Sequence, residues 1–328
     1  MVKKLGKLII ADLNKRSKKG VNLAKHVLQT EKIEDATLDH ALEHYIEHWD
    51  DSTHPGLFSL ACEAAGGDPD NAVLTQAAMT MMAAAFDIHD DVIDKSKVKH
   101  KIPTVYGKFG PEIALLLGDA FLIEGFKLFV DSTAMLPKEK EKEAIEIVKR
   151  LTFEVGNAHA VEVGLKERKN TFLDDYMKVI EMKAAGIELD MHVGAMFGGG
   201  ADPEVEVLAR LGRILGILGT LREEFIDVFE IEELRQRIAV HDLPLPLLFA
   251  MNDHEANRKV LNIISKRKIT KNDIAELVDV TLEVEQNIEL KEKMRHLVED
   301  ALRKIDKLAR SRTQNTFRRL SLFMLEDL

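Results

Sequence analysis

The sequence predicts an all-α fold, and three observations carry that prediction. Only eight prolines and 19 glycines interrupt 328 residues. Long segments rich in Ala, Leu, Glu, Lys and Met repeat their apolar positions every 3.6 residues, where a strand face would alternate. Hydrophobic residues make up 45% of the chain, enough to fill a large core. No long polar linker separates the segments, so a single domain over 1–328 is expected.

Each expected helix is bounded by a break in the apolar period. The lysine-rich start "MVKKLGKLIIADLNKRSKKG" has only "LII" as an apolar run, too short for a signal h-region, and no helix is assigned to it. The first helix is 36–49, and "HPG" (54–56) separates it from the second, 56–66. The stop "GGDPD" (66–70) precedes 70–95, which carries the apolar run "AAMTMMAAAF" (77–86). The segment "KIPTVYGKFG" (101–110) is a break, followed by 111–132, then "LPK" (136–138) and a helix over 138–165. The next spans 172–198, with Thr171 as N-cap and the pair Asp174 and Asp175 in its first turn. The glycine-rich turn "FGGGADP" (197–203) leads to 203–230. It lacks the lysine and the preceding strand of a phosphate loop. Shorter helices follow at 244–252, 255–266, 270–286 and 288–305, with a last one near 313–325.

Charge and cysteine use narrow the function classes. The 46 basic and 56 acidic residues give a formal charge of −10 without a basic block, which argues against a nucleic-acid footprint. The single cysteine, Cys62, rules out an intramolecular disulfide framework and points to the cytoplasm. The most apolar windows are 77–86, too short to span a bilayer, and 111–130, interrupted by Asp119, Glu124 and Lys127, so no transmembrane helix is indicated.

The segment "FDIHDDVIDKSKVKH" (86–100) raises the question of chemistry. Asp90, Asp91 and Asp94 lie within one helical turn, where all three can present carboxylates to one point, with Asp87 on the same face. Unpaired like charges cost a helix about a few tenths of a kcal/mol per pair. A divalent cation reverses that sign, and magnesium, a hard ion held by one or two carboxylates plus substrate phosphates, suits the arrangement. A solvated acidic helix end is the plainer reading. Two features weigh against it. Met79, Met82, Ala83 and Phe86 form an apolar stripe leading into the acids, as a metal-binding mouth above a hydrophobic shaft would. "LREEFIDVFE" (221–230) repeats the spacing as Glu223, Glu224 and Asp227, so two facing helices could clamp a metal-bound diphosphate.

These residues resemble the trans-isoprenyl diphosphate synthase (polyprenyl synthetase) family. The similarity is densest over "HDDVIDKSKVKHKIPTVYGKFG" (89–110) and "LLLGDAFL" (115–122), and continues through "LFSLACEAAGGDPDNA" (57–72), "MKVIEMKAAG" (177–186), "LGRILGILGTLREEFID" (211–227) and "DLPLPLLFA" (242–250). The resemblance implies an isoprenoid synthase-type helical bundle around a deep central cavity, usually dimeric, as a homodimer or paired with a related synthase. It implies a transferase in which Mg2+ bridges two acidic helices to an allylic isoprenyl diphosphate. Charge developing on the departing diphosphate is neutralised and an allylic cation forms, which the double bond of isopentenyl diphosphate then attacks. By this similarity Asp90, Asp91 and Asp94 would be first-side metal ligands and Glu223, Glu224 and Asp227 second-side ones. Lys183 would bind diphosphate, Lys99, His100 and Arg222 would contact substrate, and Phe86 and Met82 would floor the tail pocket.

The chain departs from the family where the second substrate binds. Where the family carries Gly-Lys-Arg-x-Arg-Pro, this chain reads "DDSTHP" (50–55), with Asp51 for the lysine and Ser52 and His54 for the arginines. Lys99 and His100 replace a pair of arginines, Asp242 a lysine, and Ala184 a threonine. A charge reversal at close contact is worth on the order of several kcal/mol. Arg222, Arg235, Arg237 and Lys101 are the cations that could compensate. Besides chain elongation, two readings stay open: ionisation without isopentenyl diphosphate, as in a class I terpene synthase or a diphosphate hydrolase, and a catalytically silent subunit of a heteromeric synthase. Separately, "LDHALEHYIEHWDD" (38–51) sets His40, His44 and His48 at four-residue steps, a zinc-capable stripe or a solvated helix face. His159 and His192, on apolar stretches, read as core or cavity residues.

Overall fold

The computed structural model describes residues 2–99, 101–166, 173–239, 243–266, 269–309 and 311–326. In chain order the helices are α1 (Val2–Thr30), α2 (Ala36–His48), α3 (Thr53–Ala65), α4 (Val73–Ile93), α5 (Val105–Phe109), α6 (Pro111–Thr133), α7 (Lys138–Lys166) and α8 (Leu173–Lys183). They continue as α9 (Ala185–Phe197), α10 (Asp202–Phe229), α11 (Ile231–Ala239), α12 (Leu245–Asn252), α13 (His254–Ile264), α14 (Lys271–Leu282), α15 (Glu285–Ile305) and α16 (Ser311–Phe323). Two-residue strands β1 (Val98–Lys99) and β2 (Ile102–Pro103) pair antiparallel after α4. The all-α expectation holds, and no described helix is long and apolar enough to cross a membrane.

The structure adds the short helices α5 and α11 to the expected set, and three further differences from the sequence reading have physical causes. Residues 2–30 form a long helix. Its buried positions, Gly6, Ile9, Leu13, Ser17, Gly20, Ala24 and Leu28, keep helical spacing, but three of the seven are glycine or serine, so the stripe is weak in hydrophobicity. The expected helix over 172–198 is divided at Ala184 into α8 and α9; Thr171, its proposed N-cap, lies outside the described residues. The break after the acidic motif holds the β1–β2 hairpin, whose turn passes through Lys101 at φ +70°.

α9 lies between α3 and α10, and glycines let the backbones approach closely. A Cβ on Gly194 of α9 would stand 2.4 Å from the Phe58 carbonyl oxygen of α3, and one on Gly216 of α10 would stand 2.9 Å from the Ala184 Cα. The backbone that carries Lys183 and Asp190 is thereby fixed against two neighbours. α4 packs between α1 and α6. The main apolar cluster runs through α1 to α10 and α15, while a smaller one, with Val228, Leu247, Val260 and Leu277, joins the end of α10 to α12, α13 and α14.

Candidate functional site

A cavity of about 710 Å³ opens between α1, α2, α3, α4, α10 and α16. A second, of about 250 Å³, lies between α4, α7 and α9; both are lined by His54, Ala83, Asp87, Lys183 and Gly186. The smaller one has the form expected of a tail pocket. Met79, Met82 and Phe86 of α4 face Val155 of α7 and Leu189 of α9, with Asp90, His159 and Lys183 also on its wall.

Asp90 and Asp91 are adjacent on α4, so their side chains diverge by about 100°. Asp90 turns toward α7, where Oδ1 lies 2.8 Å from His159 Nδ1. Burial works against its ionisation, yet the His159 contact and the Lys183 charge outweigh it and hold the carboxyl at about 2. Asp91 turns toward the larger cavity. Burial pushes its carboxyl up to about 7, although Lys99 Nζ stands 2.8 Å from Oδ1. Lys99 is returned over α4 by the hairpin and also pairs with Asp87 at 2.7 Å. The two acids hold its ammonium above the usual lysine range despite burial. Asp94 caps the C-terminus of α4, its N–H donating to the Asp90 carbonyl at 2.8 Å. The three carboxylates therefore do not converge on one point: among the described residues no three acidic, histidine or cysteine side chains are grouped to hold a metal ion.

The individual oxygens nevertheless suit a hard ion. Asp90 Oδ1 and Asp91 Oδ1 are buried, each with one nitrogen contact, to His159 Nδ1 and Lys99 Nζ respectively, both at 2.8 Å. Carboxylate oxygens on adjacent residues are the hard donor type magnesium takes. Lys183, at the end of α8, pairs with Glu162 of α7 at 2.5 Å. Burial lowers its proton affinity, but Glu162 and Asp90 overcome this and raise it, keeping the ammonium charged between the two cavities.

The second acidic stretch is arranged differently. Of its three acids only Glu223 lines the larger cavity, and burial, then Asp227 and Glu224, push its carboxyl up. Glu224 is bonded by Arg237 at 3.1 Å and accepts the Leu245 N–H at 2.6 Å, at the start of α12. Asp227 pairs with the same guanidinium at 2.6 Å. Glu224 and Asp227 thus tie α11 and α12 to α10, and a guanidinium occupies the place between them. Their donor set is committed, which does not fit a metal there. Arg222 lies over the Phe323 ring, 4.4 Å from its centroid, and donates to the Phe323 and Glu326 carbonyls. His100 and Asp242 lie outside the described residues.

On the wall of the larger cavity, Asp51 Oδ1 accepts the Thr53 and His54 N–H groups at the start of α3. His54 Nδ1 meets Asp190 Oδ2 at 2.5 Å. Burial opposes a charge on His54, but the Asp190 carboxylate prevails and lifts the imidazole to about 10. The histidine stripe is not a uniform solvated face. His44 is buried, with Nε2 2.8 Å from the Pro103 carbonyl and Nδ1 3.2 Å from Lys108, whereas His40 and His48 are exposed. Asp190 and Glu162 were not singled out in the sequence; each lies on a helix face that becomes informative only with its partner 136 or 21 residues away.

A family model described as "Polyprenyl synthetase" matches residues 27–281. The chain is 30% identical over 198 residues to a short chain isoprenyl diphosphate synthase of Methanothermobacter thermautotrophicus, covering 60% of each. It is 23% identical over 225 residues to a geranylgeranyl diphosphate synthase of Sulfolobus acidocaldarius, covering 68% of this chain and 65% of that protein. The match thus spans somewhat under two thirds of these relatives' length. The fold is similar to the crystal structure of a geranylgeranyl pyrophosphate synthetase from Pyrococcus horikoshii, with TM-score 0.82, 20% identity, and 98% and 99% of the two chains covered. It is also similar to a polyprenyl synthase from Caulobacter crescentus complexed with calcium and isoprenyl diphosphate, with TM-score 0.78, 19% identity, and 99% and 98% covered. At these identities the structural likeness speaks for the fold.

Proposed function

We propose the activity from the premise that this chain belongs to the polyprenyl synthetase family: it is a prenyltransferase that ionises an allylic isoprenyl diphosphate at the mouth of the smaller cavity. The observation that carries the reading is the meeting of an apolar pocket, walled by Met79, Met82 and Phe86, with Asp90 and Lys183 at one point of the fold. The pocket takes the hydrocarbon tail and keeps water from the cation that forms at its mouth. Lys183, kept charged by Glu162 and Asp90, binds the diphosphate oxygens. Asp90 and Asp91, on the two cavities, with Asp94 at the end of α4, would offer carboxylate oxygens to Mg2+ at separate points, and Mg2+ when bound would neutralise charge on the leaving diphosphate. His159 orients Asp90 through its 2.8 Å contact, and Lys99 does the same for Asp91.

The relatives are named as isoprenyl and geranylgeranyl diphosphate synthases, so chain elongation is the first activity to assay, in an enzyme of the cytoplasm that pairs with a second copy of itself. The experiment incubates the chain with Mg2+ and geranyl, farnesyl or geranylgeranyl diphosphate, with and without isopentenyl diphosphate, and reads released diphosphate and organic products by mass spectrometry. Release from at least one donor is expected, lowered on the order of 100-fold in Asp90→Ala, the scale of losing one preorganised electrostatic contact. Equal release by the variant removes Asp90 from the chemistry.

A further inference from the structure

The wall of the larger cavity at residues 50–54, where the resemblance puts the second substrate, has a chemistry that the smaller cavity does not share. An acceptor bearing a diphosphate brings two or more negative charges, each of which needs a cation. The described cations on this wall are engaged: Lys99 between Asp87 and Asp91, Lys183 on Glu162, and Arg222 on two carbonyls and the Phe323 ring. Two lysines behind the wall are engaged too. Lys25 donates to the Ile46 and Trp49 carbonyls, and Lys108 meets His44. His54, standing where a free cation would be useful, is held by Asp190, and an imidazolium–carboxylate pair sums to zero charge. Asp51 is fixed in place by two N–H groups, with Asp50 beside it on the same wall. Arg222 apart, the described cations on this wall are thus each paired with a carboxylate, and Asp50 and Asp51 add negative charge to it.

What the wall offers instead is aromatic. Tyr45 and Trp49 lie with ring centroids 5.4 Å apart, and both pack on Phe121, at 5.2 and 5.6 Å. Trp49 lines the cavity at 7% exposure, and its indole N–H has no hydrogen-bond partner among the described residues. Aromatic faces beside two aspartates suit a neutral or cationic group.

We propose that the acceptor in this prenyl transfer is a nucleophile without negative charge, an amine, hydroxyl compound or electron-rich ring seated between Trp49 and Asp51, in place of isopentenyl diphosphate. The inference rests on the allylic-donor reading above. In the step, the C1–O bond of the donor breaks and its electron pair leaves on the diphosphate. The acceptor's lone pair or π bond forms the new bond to C1, and the acceptor's proton passes to the released diphosphate. No oxidant or reductant is needed.

The test uses the full chain with Mg2+ in two arms. In the first, binding of radiolabelled isopentenyl diphosphate is measured in the presence of a non-ionising thiolo analogue of farnesyl diphosphate. The unmodified chain is expected to bind it at least tenfold more weakly than Asp51→Lys/His54→Arg. Asp51→Asn, which preserves an oxygen for the two N–H groups, is expected to fall between them and serves if the double variant does not fold. In the second arm, geranyl, farnesyl and geranylgeranyl diphosphate are each offered isopentenyl diphosphate, tryptamine or indole. Prenylated tryptamine or indole is the expected product. An elongated diphosphate from the unmodified chain, or prenyl alcohol as the sole product with every acceptor, overturns the inference and leaves the donor reading standing. An absence of diphosphate release from every donor overturns the donor reading, and this inference with it.

Discussion

Asp90 and Asp91 show how one residue's step around a helix changes its chemistry. One carboxyl is held at about 2 by a histidine and a lysine across the pocket, while its neighbour is pushed to about 7 by burial. The spacing of these acids was legible in the sequence; their separate environments were not, because those depend on α7 and the hairpin. The His54–Asp190 pair is a stricter case, since 136 residues separate its members. Its pH dependence has a definite sign. His54 is lifted from 6.5 to about 10 in the fold, so the stability it adds is complete below pH 6.5 and is lost as pH rises toward 10. Burial raises the Asp190 carboxyl and offsets part of that gain. With a third of the His54 side chain in solvent, the net loss is on the order of 1 kcal/mol. Urea midpoints of the chain are expected to fall between pH 6.5 and 10 by more than those of His54→Gln/Asp190→Asn. Parallel curves would mean that the pair adds nothing to folding.

At the scale of elements, the site depends on how closely α3, α9 and α10 approach. Gly194→Ala would press a Cβ to 2.4 Å from the Phe58 carbonyl oxygen, a backbone atom that cannot swing aside. Its expected cost is about 1–3 kcal/mol, the range for an overpacked core, read as a lowered urea midpoint. Because α9 carries Leu189 on the wall of the smaller cavity, the displacement should also weaken binding of the allylic diphosphate; a variant with unchanged midpoint and affinity would show that α3 and α9 can separate freely. Most helices were legible from apolar period and breaks. α1 was not, because Gly6, Ser17 and Gly20 hold buried positions that hydrophobicity does not register: Gly6 meets the Phe323 ring and Gly20 meets Gln76. The division at Ala184 was hidden because apolar periodicity runs through it, and α11 because its positions near Arg237 are polar. The acidic spacing of Glu223, Glu224 and Asp227 was read correctly as a pattern. That Arg237 would close over two of them is a tertiary fact, set by the turn that brings α11 back along α10.

For the molecule as a whole, the outer face of α6 is an apolar face that the described fold leaves uncovered. α6 buries Ala114, Leu117, Phe121, Leu128 and Phe129 inward, yet Leu115, Leu116, Ile123, Phe126 and Val130 remain exposed, Ile123 by 70%. Apolar residues repeated along one helix face amount to a patch, whereas single exposed residues would need no account. The inward side of the same helix packs on α4, which carries the acidic motif, so whatever covers α6 also braces the site. A second copy meeting the first about a two-fold axis would bury this face on both chains at once, since such an interface uses the same patch twice. The chain is therefore expected to run in light scattering at twice its 36.9 kDa mass. Ile123→Glu/Phe126→Glu would place four charges in that contact and should yield a particle of single-chain mass. Neither side chain lines either cavity, so the divided protein should still be helical by circular dichroism. Donor ionisation, measured on it, then separates two cases: activity retained by the monomer makes the pairing a matter of stability, and activity lost with helicity intact makes α4 dependent on the partner's support through α6. A variant that remains at twice the mass would place the contact on another surface and leave the exposed α6 stripe to a different neighbour.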